Sequence, residues 1–151
     1  RTKLMQYLEQ HLENRPKMGG KQLYFIMMDL NDLKMINDTY GHVEGDSALV
    51  IVAEVLKHSM LTHQGILARY GGDEFCIAGE FTEDEKEHLC NDIFEALKMA
   101  NKNSGRVYEI KMCMGCAELT DDIKTIPDLI GRADEALYSE KRKKISYKKV
   151  V

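Results

Sequence analysis

The sequence predicts an α+β fold in which helices flank a central, mostly antiparallel sheet. The first observation is the segment QLYFIMMDL at 22–30, a continuous apolar run of strand length. The second is a glycine turn at 71–74 between two short strand candidates, which is typical of a β-hairpin. The third is helical periodicity in the segments between the strands, so that helices packed on a sheet would bury the apolar faces.

The elements before the glycine turn follow from local patterns. Apolar residues at helical spacing predict a first helix that ends before Pro16, because proline and the glycines at 19–20 break the pattern. The apolar strand at 22–30 follows, and its continuous hydrophobicity predicts a central strand covered on both faces. Two helices are predicted next, over 31–40 and 44–60.

The elements after them complete the predicted order. Strands over 65–70 and 75–78 form the hairpin, which we place at the centre of a two-layer structure. Thr82 and Glu85 have the spacing of a capping box at the start of a long helix. A strand, a helix and a final strand are predicted over 108–117, 126–142 and 145–151. The core of this order matches the ferredoxin-like βαββαβ pattern.

Length and composition indicate a single globular domain over residues 1–151. Hydrophobic residues make up 44% and charged residues 30%, and no apolar run reaches the roughly 18 to 20 residues that span a bilayer. The chain begins at Arg1 inside an amphipathic helix. We therefore expect that the start of the domain and an upstream sensor or regulatory domain belong to a longer protein, which is either soluble or membrane-tethered.

Net charge and cysteine spacing narrow the function classes. The net charge of −4 argues against general binding to nucleic acid, and we expect no membrane contact by this fragment. Cys113 and Cys116 form a lone C-x-x-C pair without the second pair or the histidines of a metal site. We interpret the four cysteines as reduced, mostly buried thiols, which fits a domain in the cytoplasm.

Acidic residues and glycines converge at one place in the predicted fold. Asp29 lies at the end of the buried strand, and Asp73 and Glu74 follow Gly71 and Gly72 at the tip of the hairpin. Glycines let the backbone approach a ligand, and carboxylates from neighbouring strand ends suit Mg²⁺ ions whose other ligands are water and phosphate. The pattern predicts a phosphate and metal site, although on these residues alone a tight acidic turn is the more common meaning.

Three longer segments resemble a known family. The segments ARYGGDEF (68–75), DLNDLKMINDTYGHVEGDSAL (29–49) and ADEALYSEK (133–141) resemble, in order and spacing, the three characteristic blocks of GGDEF diguanylate cyclases. The segment KMCMGCAE is similar to a further strand of that family, and Arg1 to the end of its N-terminal block. The resemblance implies a palm of the type found in nucleotide cyclases and polymerases. It also implies condensation of two GTP molecules into cyclic di-GMP with release of pyrophosphate.

The resemblance implies roles for the acidic residues. Asp29 and Asp73 would bind Mg²⁺, or Mn²⁺ in its place, together with the carbonyl oxygen of Leu30. Asp73 would also accept the proton of the attacking 3′-hydroxyl group, and Glu74 would support the same cluster. The expected catalytic residues are therefore Asp29, Asp73 and Glu74.

The resemblance also implies a nucleotide-binding set. Asn37 and Asp46 would read the guanine edge, because an amide beside a carboxylate matches its acceptor and donor groups, and His42 would shape the pocket. The expected phosphate-binding residues are Lys34, Lys141, Gly71 and Gly72. Taken singly, Asn37 is also an ordinary residue near a helix C-terminus and Asp46 an ordinary N-cap.

Several positions depart from the family pattern. Asn31 and Leu33 replace an acid and a phenylalanine of the first block, and Ile145 stands at an arginine position of the third. Thr62 and Gly65 replace the R-x-x-D pattern of the family's product-inhibition site. Without that guanidinium and carboxylate, we expect no tight inhibition by cyclic di-GMP through this surface.

Three functions remain open on the sequence. The leading one is a diguanylate cyclase, which would need a homodimer, at least transiently, because one site holds one GTP molecule. The second is a catalytically weak or inactive module that binds GTP in a regulatory role. The third is a polymerase-like enzyme or a cyclase acting on one nucleotide, because a ferredoxin-like palm hosts several such reactions.

Overall fold

The computed structural model describes residues 2–14 and 20–150, with side chains described for 3–14 and 20–143. Helices and strands alternate along the chain largely as the sequence predicts. The helices are α1 (Thr2–Glu13), α2 (Leu33–Tyr40), α3 (His42–Ser59), α4 (Glu83–Ser104) and α5 (Ile126–Val150). The strands are β1 (Gln22–Leu30), β2 (Ile66–Arg69), β3 (Glu74–Phe81) and β4 (Met112–Glu118).

The four strands of the described chain form one antiparallel sheet in the order β2-β3-β1-β4. This arrangement confirms the predicted α+β, ferredoxin-like fold with a sheet flanked by helices. The expectation that the whole hairpin lies at the centre was wrong, because β2 is an edge strand. The central places belong to β1 and β3, whose residues are almost all buried, whereas those of β2 are half-buried or exposed.

Helices cover both faces of the sheet, so the described structure has three layers and not the two that we expected. Alternate residues of β1 enter different cores, with Ile26 facing α3 and α4 and Phe25 facing α1 and α5. Both side chains are fully buried. A strand covered on both sides has no solvent face, which explains why its sequence is apolar throughout rather than alternating.

Helix ends follow the sequence signals closely, with one exception. The hydroxyl of Thr82 accepts a hydrogen bond from the backbone N–H of Glu85 at 3.1 Å, and the Glu85 carboxylate accepts one from the N–H of Thr82 at 3.0 Å. This confirms the predicted capping box. The final strand predicted over 145–151 was wrong over its described part, because α5 continues to Val150. The lysine-rich sequence after Arg142 contains neither glycine nor proline to end the helix; residue 151 lies outside the described residues.

Within the described residues, no helix combines enough length with enough apolar character to cross a membrane.

Candidate active site

The candidate site forms where β1 ends beside the glycine turn. In the register of β1 with β3, Asp29 lies opposite Glu74. The backbone N–H of Leu30 donates to the carbonyl oxygen of Asp73 at 3.1 Å, and the N–H of Tyr70 donates to the carbonyl oxygen of Glu74 at 2.8 Å. These bonds close the turn and hold it against the end of β1. The structure thus brings together the three acidic residues that the sequence singled out.

Helix α5 supplies a cation to this cluster. An added Cβ at Gly115 in β4 would lie 2.3 Å from the backbone nitrogen of Leu137 and 2.4 Å from the carbonyl oxygen of Ala133. A side chain there would push α5 away from the sheet, so glycine permits the close approach. With α5 this close to β4, Lys141 donates a hydrogen bond to Oδ2 of Asp29.

The other carboxylate oxygen of Asp29 has no donor among the residues that the structure describes. The residue is only 8% exposed, and its Oδ1 receives no hydrogen bond from any group in the described residues. Buried polar atoms are normally hydrogen-bonded, and an unpartnered buried carboxylate oxygen is unfavourable by about 1–3 kcal/mol or more. The geometry therefore leaves one oxygen ligand of Asp29 available to a cation.

The electrostatics of the cluster favour an additional positive charge. Burial raises the pKa of Asp29; the hydrogen bond from Lys141 opposes this effect, and the negative charge of Asp73 adds to it. Burial also raises the pKa of Glu74, and the negative charges of Asp29 and Asp73 raise it further. Both directions mean that negative charge is disfavoured here, and a cation bound among the carboxylates would relieve that cost.

The donor set fits Mg²⁺ that is shared with a ligand better than a metal held by protein alone. Among the described residues, no group of three or more histidine, cysteine, aspartate or glutamate side chains is arranged to hold a metal ion. Mg²⁺ is commonly bound through one or two carboxylates, with water and phosphate oxygens completing its shell. Asp29 and Asp73 match that pattern. The role of the Leu30 carbonyl oxygen as a further ligand stays a prediction.

The predicted base-binding residues lie on α2 and α3. An added Cβ at Gly45, in the first turn of α3, would lie 1.7 Å from Oδ1 of Asn37. The amide of Asn37 therefore rests directly on the backbone of α3, in space that only glycine leaves open. The next residue, Asp46, is exposed and lines a cleft of about 460 Å³.

The structure also tests the ordinary interpretations of these two residues, namely Asp46 as an N-cap and Asn37 as a residue at a helix C-terminus. Helix α3 begins at His42, so Asp46 lies inside the helix and is not an N-cap. The carbonyl oxygen of Asn37 does accept the N–H of Gly41 at 2.9 Å at the end of α2. The backbone of Asn37 thus closes the helix while its side chain faces α3. His42 is exposed in the first turn of α3.

The predicted phosphate-binding residues lie on three different parts of the fold, with Lys141 on α5 bonded to Asp29. Lys34 is exposed in the first turn of α2, and Gly71 and Gly72 are exposed in the turn between β2 and β3. Sequence reasoning missed Arg69, whose Nε donates to the carbonyl oxygen of Gly72 at 3.2 Å and whose Nη2 donates to the same oxygen. The arginine in the ARYGGDEF segment was the available signal, but its contact depends on the shape of the turn.

A second group of residues that the sequence did not reveal supports the corner between α2 and α3. The rings of Tyr40 and Tyr108 lie 4.9 Å apart, and the hydroxyl of Tyr108 donates to the Glu44 carboxylate at 2.7 Å. Arg106 donates to the hydroxyl of Ser47 at 3.2 Å. These contacts fix the segment that carries Asn37 and Asp46.

Comparison with known proteins decides the family. The family model described as "Diguanylate cyclase, GGDEF domain" matches residues 1–146. The chain belongs to the GGDEF family. This confirms the resemblance drawn from the three sequence segments.

Relatives of this GGDEF domain carry different activities in their names. The cyclic di-GMP phosphodiesterase NbdA of Pseudomonas aeruginosa is 32% identical over 142 residues, which are 93% of this chain and 18% of that protein. The probable diguanylate cyclase DgcJ of Escherichia coli K12 is 32% identical over 139 residues, which are 92% of this chain and 27% of that protein. The chain thus spans less than a third of the length of either relative.

A solved structure supports the same fold. The active GGEEF domain of a diguanylate cyclase from Vibrio cholerae is 25% identical to this GGDEF domain, with a TM-score of 0.77. The superposition covers 95% of this chain and 90% of that chain. The βαββαβ core and its flanking helices are therefore common to both.

The positions that depart from the GGDEF pattern differ in their surroundings. Asn31 is half-buried, and its backbone N–H donates to the carbonyl oxygen of Lys111 at 2.8 Å. The side chain of Ile145 lies outside the described residues. At Gly65, an added Cβ would lie 2.5 Å from the carbonyl oxygen of Ala78. The aspartate of an R-x-x-D motif therefore does not fit at this position without displacement of the backbone.

Proposed function

We propose that this domain is a diguanylate cyclase, which joins two GTP molecules into cyclic di-GMP and releases pyrophosphate from each. The observation that carries the proposal is the buried carboxylate of Asp29, whose Oδ1 has no donor among the described residues, beside the turn that contains Asp73 and Glu74. Membership of the GGDEF family supports this activity. Asp29 is buried, and Asp73 and Glu74 are half-buried beside it, so a cation bound among them would offset their mutual repulsion.

The acidic residues divide the chemical work. Asp29 and Asp73 would hold Mg²⁺, or Mn²⁺ in its place, and Leu30 would add its carbonyl oxygen. The metal, when bound, would supply positive charge toward the phosphate oxygens. Asp73 would accept the proton of the 3′-hydroxyl group as that oxygen attacks the α-phosphate of the other GTP. Glu74, opposite Asp29 in the sheet, would support the same cluster.

The remaining site residues would bind and orient GTP. Asn37 and Asp46 would pair with the guanine edge, and the seat of Asn37 on Gly45 fixes the direction of its amide. Lys34, Lys141, Gly71 and Gly72 would contact the triphosphate, with the two lysines acting as point charges. His42 would border the base.

Two copies of the domain would be needed for each product molecule. One site holds one GTP, so two protomers must face each other to bring each 3′-hydroxyl to the other α-phosphate. Such alignment turns a bimolecular encounter into an oriented reaction. We propose a homodimer that is transient for this fragment and is favoured in the longer protein by an upstream sensor or regulatory domain, with the reaction taking place in the cytoplasm.

One observation favours a second candidate function. The relative NbdA is named a phosphodiesterase, although it matches 93% of this chain at 32% identity. A domain of this family therefore also occurs in a protein named for breaking cyclic di-GMP down. On this alternative the present domain would bind GTP and regulate a neighbouring domain, and its departures at Asn31 and Ile145 would reduce or abolish turnover.

A turnover assay separates the two candidates. GTP and Mg²⁺ are incubated with increasing concentrations of the protein, and the products are resolved by chromatography, with Asp73→Asn as a nearly isosteric control. The cyclase proposal predicts cyclic di-GMP that rises more than linearly with protein and is lost in the variant. GTP binding without product, even after forced dimerisation, would support the regulatory role instead. Product from ATP alone would indicate an enzyme acting on a different nucleotide.

A further inference from the structure

Two of the four cysteines meet between α4 and β4, on the face of the sheet away from α5. The sulfur atoms of Cys90 and Cys116 lie 3.9 Å apart, and both residues are half-buried. The two cysteines of the C-x-x-C motif do not face each other, because Cys113 and Cys116 lie on opposite faces of β4 and enter different cores. The structural pair is therefore Cys90 with Cys116, which are separated by 26 positions in the sequence.

The surroundings of the pair favour a thiolate on one sulfur atom. Lys86 precedes Cys90 by one helical turn and so lies on the same side of α4. Either sulfur atom can donate the hydrogen bond that joins the pair, and the atom that accepts it is favoured as the thiolate. The positive charge of Lys86 favours ionisation of both thiols, and burial opposes it. One thiol of the pair can therefore act as the nucleophile while the other resolves the product.

The other two cysteines lie apart from this pair and from each other. Cys76 and Cys113 are buried in the opposite core, on β3 and β4, with β1 between these strands. Strands two places apart in a sheet are separated by roughly 10 Å, which is too far for a disulfide. Burial raises the pKa of Cys76 to about 12, so its thiol is unreactive at neutral pH.

We propose that Cys90 and Cys116 form an oxidation site at which a hydroperoxide converts the two thiols into a disulfide that joins α4 to β4. One thiol of the pair, as its thiolate, attacks one peroxide oxygen, the O–O bond breaks, and the leaving oxygen takes a proton to become water or an alcohol. The other thiol then attacks the sulfur atom of the resulting sulfenic acid, the S–S bond forms, and the sulfenic hydroxyl leaves with the thiol proton as water. The sulfur atoms lose two electrons and the peroxide gains them.

Formation of the disulfide requires a small displacement of the two sulfur atoms. A disulfide bond is about 2.05 Å long, so the sulfur atoms must approach by roughly 1.9 Å from their separation of 3.9 Å. Rotation of the two side chains shares this movement between α4 and β4. Hydrogen peroxide is small enough to reach a half-buried sulfur atom, whereas the thiols of Cys76 and Cys113 are closed off in the other core.

The experiment treats the reduced protein with hydrogen peroxide, alkylates the remaining thiols and measures the intact mass. Wild type should lose two of its four alkylation sites, weigh about 2 Da less before alkylation, and recover on treatment with dithiothreitol. A peptide that links Cys90 to Cys116 should appear after digestion. Retention of all four thiols, or a link between other cysteines, would overturn the proposal.

Matched variants give the assignment a second, independent test. Cys76→Ala and Cys113→Ala should still lose two thiols, whereas Cys90→Ala and Cys116→Ala should form no internal disulfide. Cys90→Ala and Cys116→Ala each leave one thiol without its resolving partner, so dimedone should trap a sulfenic acid in at least one of them and in neither of the other two variants. An internal disulfide in Cys90→Ala or Cys116→Ala would refute the assignment. None of these readouts depends on cyclase activity, so failure here leaves the proposed function untouched.

Discussion

Replacement of Gly45 by alanine tests whether the seat of Asn37 matters for nucleotide recognition. The added Cβ would lie 1.7 Å from Oδ1 and 2.8 Å from Cγ of Asn37. Real contacts of this kind are near 3.5 Å, so the amide must move by well over 1 Å. Displacement by that amount breaks hydrogen bonds whose distances vary by only a few tenths of an ångström. The variant should therefore lose the contact that we propose between Asn37 and guanine.

The expected magnitude follows from the cost of unpaired polar groups. A lost hydrogen bond that leaves its partner unsatisfied costs about 1–3 kcal/mol, which weakens GTP binding by roughly 5- to 150-fold. The fold should survive, because the displaced atoms are the end of a side chain and alanine is favoured over glycine in a helix by about 1 kcal/mol. We therefore expect the variant to bind GTP more weakly while its fold remains stable.

The assay is calorimetric titration with Mg²⁺ and a GTP analogue whose α,β-bridging oxygen is replaced by a methylene group. Gly131→Ala is the matched control, because this glycine is exposed in α5 and an added Cβ has no neighbour within 4 Å. The control should gain stability, by about 0.5–1 kcal/mol, and bind normally. If Gly45→Ala binds the analogue within twofold of wild type while wild type binds well, Asn37 does not read the base.

Three further predictions concern the carboxylate cluster, the turn and the product. Lys141→Met should lower the free energy of unfolding by about 1–3 kcal/mol in urea titrations, because it strips the buried Asp29 of its donor; Lys143→Met, which removes an exposed pair, should change it by less than about 1 kcal/mol. Arg69→Ala should reduce the rate of cyclic di-GMP formation by roughly tenfold, because the turn loses the hydrogen bonds that Arg69 donates to it. A rate equal to wild type would show that catalysis does not depend on these bonds. Cyclic di-GMP should not inhibit turnover through the Thr62 surface, and Gly65→Asp should lower the melting temperature without creating inhibition, because of its clash with Ala78; progress curves with added product test both points.

The fold was largely predictable because its signals are local. The apolar run at 22–30, the glycine turn and the capping box of Thr82 each depend on neighbours within a few residues, and each was found where expected. The central position of β1 and the edge position of β2 depend instead on which strand is buried on both faces. The third layer was missed for a related reason, since periodicity tells that a helix has an apolar face but not which side of the sheet it covers.

The site was predictable as a set of residues and not as a set of contacts. Asp29, Asp73 and Glu74 could be grouped from strand ends and a turn, and the structure brings them together. The bond of Arg69 to Gly72 and the support of the corner by Tyr108 join residues through turn shape or across 64 positions of sequence. The contact between Cys90 and Cys116 is similar, because it joins a helix to a strand across 26 positions of sequence.

The bond between Lys141 and Asp29 makes the lysine an internal counter-ion for the carboxylate on which a divalent cation would bind. A metal ion that arrives alone must compete with this ammonium group, which favours weak binding. A triphosphate that arrives with the metal offers the displaced lysine a new anionic partner. Metal and nucleotide should therefore strengthen each other's binding by the same factor, as thermodynamic linkage requires. Because α5 carries this lysine, binding at the site would act on the rest of the domain through α5.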